Sequence, residues 1–183
     1  MFFPLPIGSG QTCSTIPSWM KNAINSDGKI VGGLTAPLPI PWQVQVRVNF
    51  NNLGQYMFCG GTILDEETIL CAAHCFVHKA TGASISLKNN DVIVAGSKNS
   101  NNAGPQAQTI RIKKFTNHPS YNHATLAFDY SIVKLASPLS FNTNVRPACL
   151  PTANFVPGNV ALASGWGSIK NCKFVFDFNI SKV

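Results

Sequence analysis

The sequence has few charged residues: Asp, Glu, Lys and Arg together make up 11% of its 183 residues. This is less than half the usual share for a globular domain. Hydrophobic residues make up 45% of the chain, which is enough to build a core and argues against a disordered protein. The length fits one domain, and the 14 Gly and 12 Pro residues predict short elements joined by many turns.

The sequence also lacks long apolar runs. No stretch of about 18 apolar residues occurs, so we predict no membrane span. The amino terminus has no basic segment, and Pro4 and Pro6 interrupt its apolar run before it reaches the length of a signal peptide. We interpret residues 1–29, which are rich in Pro, Gly and Ser, as a leader or a linker. Either a secretion signal lies upstream of Met1 or this chain does not encode export.

Acidic residues are scarce, with 7 against 14 Lys and Arg, and the formal charge is +7. A charge of this size can attract a polyanion. The tightest basic group is Arg111, Lys113 and Lys114, which alternates with apolar residues as a strand with one solvated face does. Because the other basic residues are dispersed, we favour the solvated face over a binding patch and predict no nucleic acid partner.

Short alternating segments dominate the rest of the chain. After Trp42 the residues Val44, Val46 and Val48 share one face and polar residues the other, which predicts a half-buried strand. Further β-rich runs cover residues 56–64, 69–73, 91–95, 109–115, 130–135 and 160–163. No long helical period competes with them, so we predict an all-β domain built as a closed barrel or a sandwich.

The six cysteines are Cys13, Cys59, Cys71, Cys75, Cys149 and Cys172. Their wide, irregular spacing fits neither a zinc knuckle nor a redox Cys-x-x-Cys motif, and it favours an oxidising, extracellular compartment. A metal site formed by Cys71, His74 and Cys75 has suitable ligand types. Three ligands within five residues of one strand do not all point at one ion, however, so we predict no metal site.

Four motifs in a fixed order carry a family resemblance. They are Ile30-Val-Gly-Gly33 after Lys29, Leu70-Cys-Ala-Ala-His-Cys75, the segment from Phe128 to Leu135 that contains Asp129, and Gly165-Trp-Gly167. Together they resemble the corresponding motifs of chymotrypsin/trypsin-like serine proteases. The resemblance implies an all-β, chymotrypsin-like double β-barrel, with the first barrel essentially complete and the second truncated.

The resemblance assigns catalytic roles to two side chains. His74 corresponds to the histidine that acts as general base, and Asp129 to the buried aspartate that orients this histidine and stabilises its charged form. Taken alone, His74 is more simply a structural histidine and Asp129 a turn residue or a strand cap. The neighbouring Cys75, and His118-Pro-Ser-Tyr-Asn122 ahead of Asp129, favour the catalytic interpretation.

The resemblance also implies an activation cleavage and two disulfides. Cleavage between Lys29 and Ile30 by an activating protease would free an ammonium group at Ile30. The simpler alternative for this segment is a strand followed by a glycine turn. The family pairs the cysteines that correspond to Cys59 and Cys75, and it pairs a leader cysteine with the position of Cys149, so Cys13 is expected to tether the leader there. Cys71 and Cys172 have no family partners.

The sequence departs from the family after Gly167. None of its 15 serines stands in an Asp-Ser-Gly sequence, so the Gly-Asp-Ser-Gly-Gly motif of the nucleophile is absent. We divide the chain into a leader (1–29), a partial protease domain (30–167) and an unmatched tail (168–183). The tail is rich in Lys, Asn, Phe and Ile, and this composition is typical of a translated A/T-rich non-coding stretch. Without the missing strands, residues 160–163 are expected to form an unpaired apolar edge.

Two functions of different class fit these observations. The first is a trypsin-like endopeptidase that acts on polypeptide substrates, inactive in this chain because the serine is absent. The second is a non-catalytic, secreted homologue that binds a partner. No cofactor is expected in either case, because the family's calcium loop corresponds to Gly96-Ser-Lys-Asn99, which offers no carboxylate.

Overall fold

The computed structural model describes residues 3–4, 34–49, 56–101, 103–151, 161–166 and 179–182. These parts of the chain contain β-strands and one short 3-10 helix, Ala73–Phe76. The strands are β1 (Phe3–Pro4), β2 (Leu34–Thr35), β3 (Gln43–Asn49), β4 (Tyr56–Ile63), β5 (Thr68–Cys71), β6 (Val92–Ala95), β7 (Gln108–Asn117), β8 (Ser131–Leu135), β9 (Ala161–Gly165) and β10 (Asn179–Lys182). No helix within these ranges is long and apolar enough to cross a membrane.

Six strands form a closed barrel in the order β3-β4-β5-β8-β7-β6, and β6 returns to β3. All of these neighbours are antiparallel. Closure leaves no free edge in the barrel, so every strand has two hydrogen-bonded neighbours. The prediction of an all-β domain with a complete first barrel is therefore confirmed.

The core of the barrel consists of the inward-facing residues of these strands. Val44 and Val46 on β3 are fully buried, as are Ile69 on β5, Ile93 on β6 and Val133 on β8. These residues are all β-branched, and such side chains pack well on a pleated surface. The alternating pattern of the sequence therefore places the apolar residues in the barrel interior.

Strand β3 differs from the prediction of a half-buried strand, because its polar face is buried as well. Gln43 is 8% exposed and Gln45 is 2% exposed. The Gln43 amide donates to the backbone oxygen of Ser164 (3.0 Å), and the Ser164 hydroxyl donates back to the Gln43 side-chain oxygen (2.6 Å). The glutamine thus joins the barrel to β9, a contact that local alternation does not encode.

The predicted free edge at residues 160–163 is wrong. Strand β9 lies inside a four-stranded sheet in the order β1-β9-β10-β2, and it pairs with β1 on one side and β10 on the other. Strand β10 lies in the tail (168–183), for which the sequence showed no counterpart in the family. It also pairs with β2. The two backbone edges of β9 are therefore both hydrogen-bonded.

A glycine on β4 permits close packing in the barrel. A Cβ atom on Gly61 would lie 2.8 Å from the Ile69 side chain and within about 3.1 Å of the methyl groups of Val44 and Val46. These neighbours are buried and β-branched, so their rotamers adjust poorly. We expect Gly61→Ala to lower the free energy of unfolding by about 1–3 kcal/mol through overpacking, measured by urea denaturation.

The adjacent glycine provides a matched control. A Cβ atom on Gly60 would meet its nearest neighbour, the Gln43 side-chain nitrogen, at 3.9 Å, an ordinary contact. Gly60→Ala should therefore leave stability unchanged or raise it slightly. Equal losses in both variants would contradict the packing argument.

Candidate active site

His74 lies in the short 3-10 helix that follows β5, where the chain leaves the barrel wall. The sequence predicted a strand over residues 69–73, but β5 ends at Cys71 and a 3-10 helix starts at Ala73. The small Ala72 and Ala73 allow this tight reversal, and the Cys75 N–H donates to the Ala72 carbonyl oxygen (3.4 Å). The turn directs Cys75 and Phe76 into the core and leaves His74 exposed.

The predicted disulfide between Cys59 and Cys75 is confirmed. It joins β4 to the 3-10 helix, with a Cα–Cα distance of 6.4 Å and a sequence separation of 16 residues. The bond fixes the backbone of the residue that follows His74. Stability and the position of the histidine therefore depend on the same covalent link.

Removing this disulfide should lower stability. A loop of this length constrains the unfolded chain by about 3 kcal/mol. We expect the double variant Cys59→Ala/Cys75→Ala to lose about that much free energy of unfolding in chemical denaturation under oxidising conditions. In strong reductant most of the difference between the two proteins should disappear. A difference of the same size with and without reductant would instead assign the loss to packing of the cysteine side chains.

Asp129 holds His74 through two hydrogen bonds, although the residues are 55 positions apart in the chain. One carboxylate oxygen, Oδ1, accepts from the His74 backbone N–H at 2.8 Å. The other, Oδ2, lies 2.7 Å from the His74 Nδ1 atom. Because one carboxylate engages both the backbone and the ring of the histidine, it fixes the position and the orientation of the imidazole.

This pairing determines which ring nitrogen is available for chemistry. An ionised carboxylate only accepts hydrogen bonds, so the pairing favours the tautomer of His74 with the proton on Nδ1 and the lone pair on Nε2. The His74 side chain is 47% exposed, whereas that of Asp129 is 22% exposed. Asp129 is thus partly buried, less completely than the resemblance implies. The arrangement can accept a proton at Nε2 while Asp129 stabilises the imidazolium.

The carboxylate of Asp129 influences two nearby groups. Burial raises the pKa of the Cys71 thiol to about 12, and the negative charge of Asp129 adds to this effect. The Tyr121 hydroxyl also has a raised pKa, again through burial first and Asp129 second. Cys71 is a free, buried cysteine whose thiol donates to the Gly60 carbonyl oxygen at 3.4 Å. It therefore stays protonated and is a poor nucleophile toward the neighbouring disulfide.

Three potential metal ligands, His74 and two cysteines, lie close together. Ligand atoms of Cys59, His74 and Cys75 lie within 4.8 Å of one another. The two sulfur atoms are bonded to each other in the disulfide, so neither is a thiolate that could bind zinc. This grouping differs from the set of Cys71, His74 and Cys75 weighed from the sequence, because Cys71 points toward the Gly60 carbonyl.

Several predicted residues lie outside the described ranges. Lys29 and Ile30, the predicted cleavage site, are among them, and so is Cys13. Cys149 is described and is disulfide-bonded, but its pairing with Cys13 stays a prediction. In the Gly-Trp-Gly motif, the Trp166 indole N–H donates to the Lys98 carbonyl oxygen at 2.9 Å.

Sequence reasoning assigned no role to the aromatic residues around Asp129. The rings of Phe128 and Tyr130, which flank the aspartate, both pack against the imidazole of His118. The sequence did contain a signal for such packing, since aromatic residues stand on both sides of Asp129. What the sequence did not supply was the contact with a residue 10 or more positions upstream.

Comparisons with known proteins agree with this geometry. The sequence model of the trypsin family matches residues 30–183. Transmembrane protease serine 9 of Rattus norvegicus is 39% identical over 161 residues, which cover 86% of this chain and 14% of the relative. Serine protease 1 of the same species is 35% identical over 79% of this chain and 52% of its own length. Trypsin 5G1 of Aedes aegypti is 30% identical over 93% of this chain and 59% of its own length.

A solved structure has a similar fold. The structure titled "Structure of GrC" superposes with a TM-score of 0.70 and 26% identity, covering 82% of this chain and 63% of the other. The chain spans between 14% and 59% of the length of the three relatives described above. The barrel, the paired histidine and aspartate, and the match over residues 30–183 lead to one conclusion. This chain belongs to the trypsin family of serine proteases.

Proposed function

We propose that this chain carries the general base and its orienting carboxylate for a trypsin-like serine endopeptidase. The observation that carries the proposal is the pair of contacts from Asp129 to His74, at 2.8 Å to the backbone nitrogen and 2.7 Å to Nδ1. A structural histidine has no need of a carboxylate that fixes both its backbone and its ring. A general base needs both, because its lone pair must face the reacting group.

In the reaction, a serine hydroxyl attacks the carbonyl carbon of a peptide bond. His74 Nε2 takes the hydroxyl proton and later gives it to the leaving amine, while Asp129 stabilises the imidazolium. General-base help of this kind contributes roughly a hundredfold to ten-thousandfold. The substrates are polypeptides, as for the family.

The tautomer of His74 tests this proposal without any need for turnover. We expect 15N NMR of the neutral histidines to give the Nδ1–H tautomer for His74. His123 is an internal control, because its Nε2 lies 2.9 Å from the Lys79 carbonyl oxygen and must carry the proton there. In Asp129→Asn the His74 tautomer should change to Nε2–H. An Nε2–H tautomer of His74 in the unmodified chain would overturn the proposal.

The second candidate is a non-catalytic, secreted homologue that binds a partner. Within residues 1–183 no serine stands in an Asp-Ser-Gly sequence, so these residues are compatible with either function. Sequencing the natural transcript separates the two functions. A message that continues in frame to a Gly-Asp-Ser-Gly-Gly segment supports the endopeptidase. A complete second barrel with another residue in place of that serine supports the binding protein.

We further propose that the protein is a secreted zymogen activated by cleavage after Lys29. Lys29 follows the polar, glycine-containing segment Asn25-Ser-Asp-Gly28, which is suited to protease access. The disulfide-bonded state of Cys149 is consistent with a leader tethered through Cys13. Treatment with trypsin should give the new amino terminus Ile-Val-Gly-Gly on sequencing, and the leader should separate only after reduction. Release of the leader without reductant would refute the tether.

A further inference from the structure

The backbone around Asp129 adopts a conformation that its sequence does not favour. Phe128 has a φ of 55° and Leu126 a φ of 56°, a left-handed region that bulky residues rarely adopt. The Tyr130 N–H donates to the Phe128 carbonyl oxygen at 2.8 Å. This bond closes a three-residue turn with Asp129 at its centre. A left-handed conformation at a bulky residue such as Phe128 persists only where surrounding contacts hold it.

His118 contacts this turn on both sides of Asp129. Its imidazole stacks on the Phe128 ring, with centroids 4.8 Å apart and an interplanar angle of 16°. The same imidazole lies 4.6 Å from the Tyr130 ring at 47°. The His118 backbone N–H also donates to the Tyr130 carbonyl oxygen at 3.0 Å. One residue thus contacts both neighbours of Asp129 and leaves the carboxylate itself free to bind His74.

The imidazole of His118 is itself held in place. Its Nδ1 atom accepts a hydrogen bond from the Ser120 backbone N–H at 3.1 Å. The side chain is therefore oriented by a backbone donor two residues ahead. An aromatic ring in this position supplies two flat faces, and the hydrogen bond sets how those faces meet Phe128 and Tyr130.

We propose that His118 is a positioning residue for Asp129. By packing against Phe128 and Tyr130, it holds the three-residue turn in the form that aims both carboxylate oxygens at His74. The inference rests on the proposed roles of His74 and Asp129. It adds a residue that touches neither the substrate nor the reacting atoms and that acts only through the turn.

The tautomer ratio of His74, measured by 15N NMR on the 183-residue chain, tests this role. We expect His118→Ala to lower the ratio of Nδ1–H to Nε2–H at His74 roughly tenfold, because the carboxylate spends less time aimed at Nδ1. His118→Phe keeps a flat ring between Phe128 and Tyr130 and should restore most of the ratio. His78→Ala, which removes an exposed histidine on the loop after the 3-10 helix, should leave it unchanged.

A second variant keeps the test decisive if His118→Ala does not fold. Phe128 is 54% exposed, so Phe128→Ala removes the stacked ring at little cost to the core, and it should lower the ratio in the same direction. An unchanged ratio in His118→Ala, or in Phe128→Ala where that variant must be used, overturns the inference. Failure of the proposed function looks different, because the unmodified chain would then lack the Nδ1–H tautomer altogether.

Discussion

The 183-residue chain, purified and mixed with a serine-directed phosphonate, should take up no stoichiometric label, and it should hydrolyse peptide and ester substrates no faster than background. The physical reason is that none of its serines stands in the motif that carries the family's nucleophile. Removing the serine alone from such a triad costs roughly a millionfold in turnover, about 8 kcal/mol. What survives in that case comes from an oxyanion hole and from substrate binding, and this chain has no Gly-Asp-Ser-Gly-Gly segment to supply the hole.

A variant of the same chain provides the control for this prediction. His74 and Asp129 can offer general-base help only to a substrate that is held in position. His74→Ala should therefore show the same background rate as the unmodified chain. A faster rate in the unmodified chain that disappears in His74→Ala, or labelling at one phosphonate per chain, would show that a working nucleophile is present.

Phe76→Ala should cost more stability than the other substitutions considered. Phe76 ends the 3-10 helix that carries His74, is fully buried and stacks on Phe115 with ring centroids 4.5 Å apart. Truncating a buried phenylalanine removes its transfer free energy and leaves a cavity, so we expect a loss of about 3–5 kcal/mol in the free energy of unfolding. Urea denaturation followed by fluorescence measures it.

An exposed phenylalanine serves as the matched control. Phe58 is 58% exposed, and its ring lies beneath the guanidinium of Arg47 at 5.8 Å. Because most of its surface remains in water, Phe58→Ala should cost less than about 1 kcal/mol. If Phe76→Ala cost no more than Phe58→Ala, the 3-10 helix would not be anchored in the core as the structure indicates.

The strands could be predicted from the sequence because their signal is local. The alternation of Val44, Val46 and Val48 places β3 without reference to any other part of the chain. The same reasoning failed for the other face of β3. Gln45 appeared solvated, yet it is buried beside Arg47, whose guanidinium donates to its side-chain oxygen at 2.8 Å. The polarity of a residue predicts its burial poorly when a hydrogen-bonding partner in the protein replaces its hydrogen bonds to water.

Strand β9 shows a second limit of prediction from local sequence patterns. Its apolar residues predicted a strand, and a strand is there. Whether its edges are paired depends on segments far away in the chain, since β1 comes from residues 3–4 and β10 from residues 179–182. Such pairings carry no periodic signal, because they depend on loop closure and on packing of the whole sheet.

For the site, the sequence by itself determined the chemistry: the residue types of His74, Asp129, Cys59 and Cys75, and their order along the chain. Only the tertiary structure decided that Asp129 reaches the ring of His74 at 2.7 Å across 55 residues. It also decided that the aspartate occupies a tight turn against His118. The reason is that acid–base character belongs to a side chain, whereas distance and orientation are set when the closed barrel joins β5 to β8 and thereby brings the two residues together.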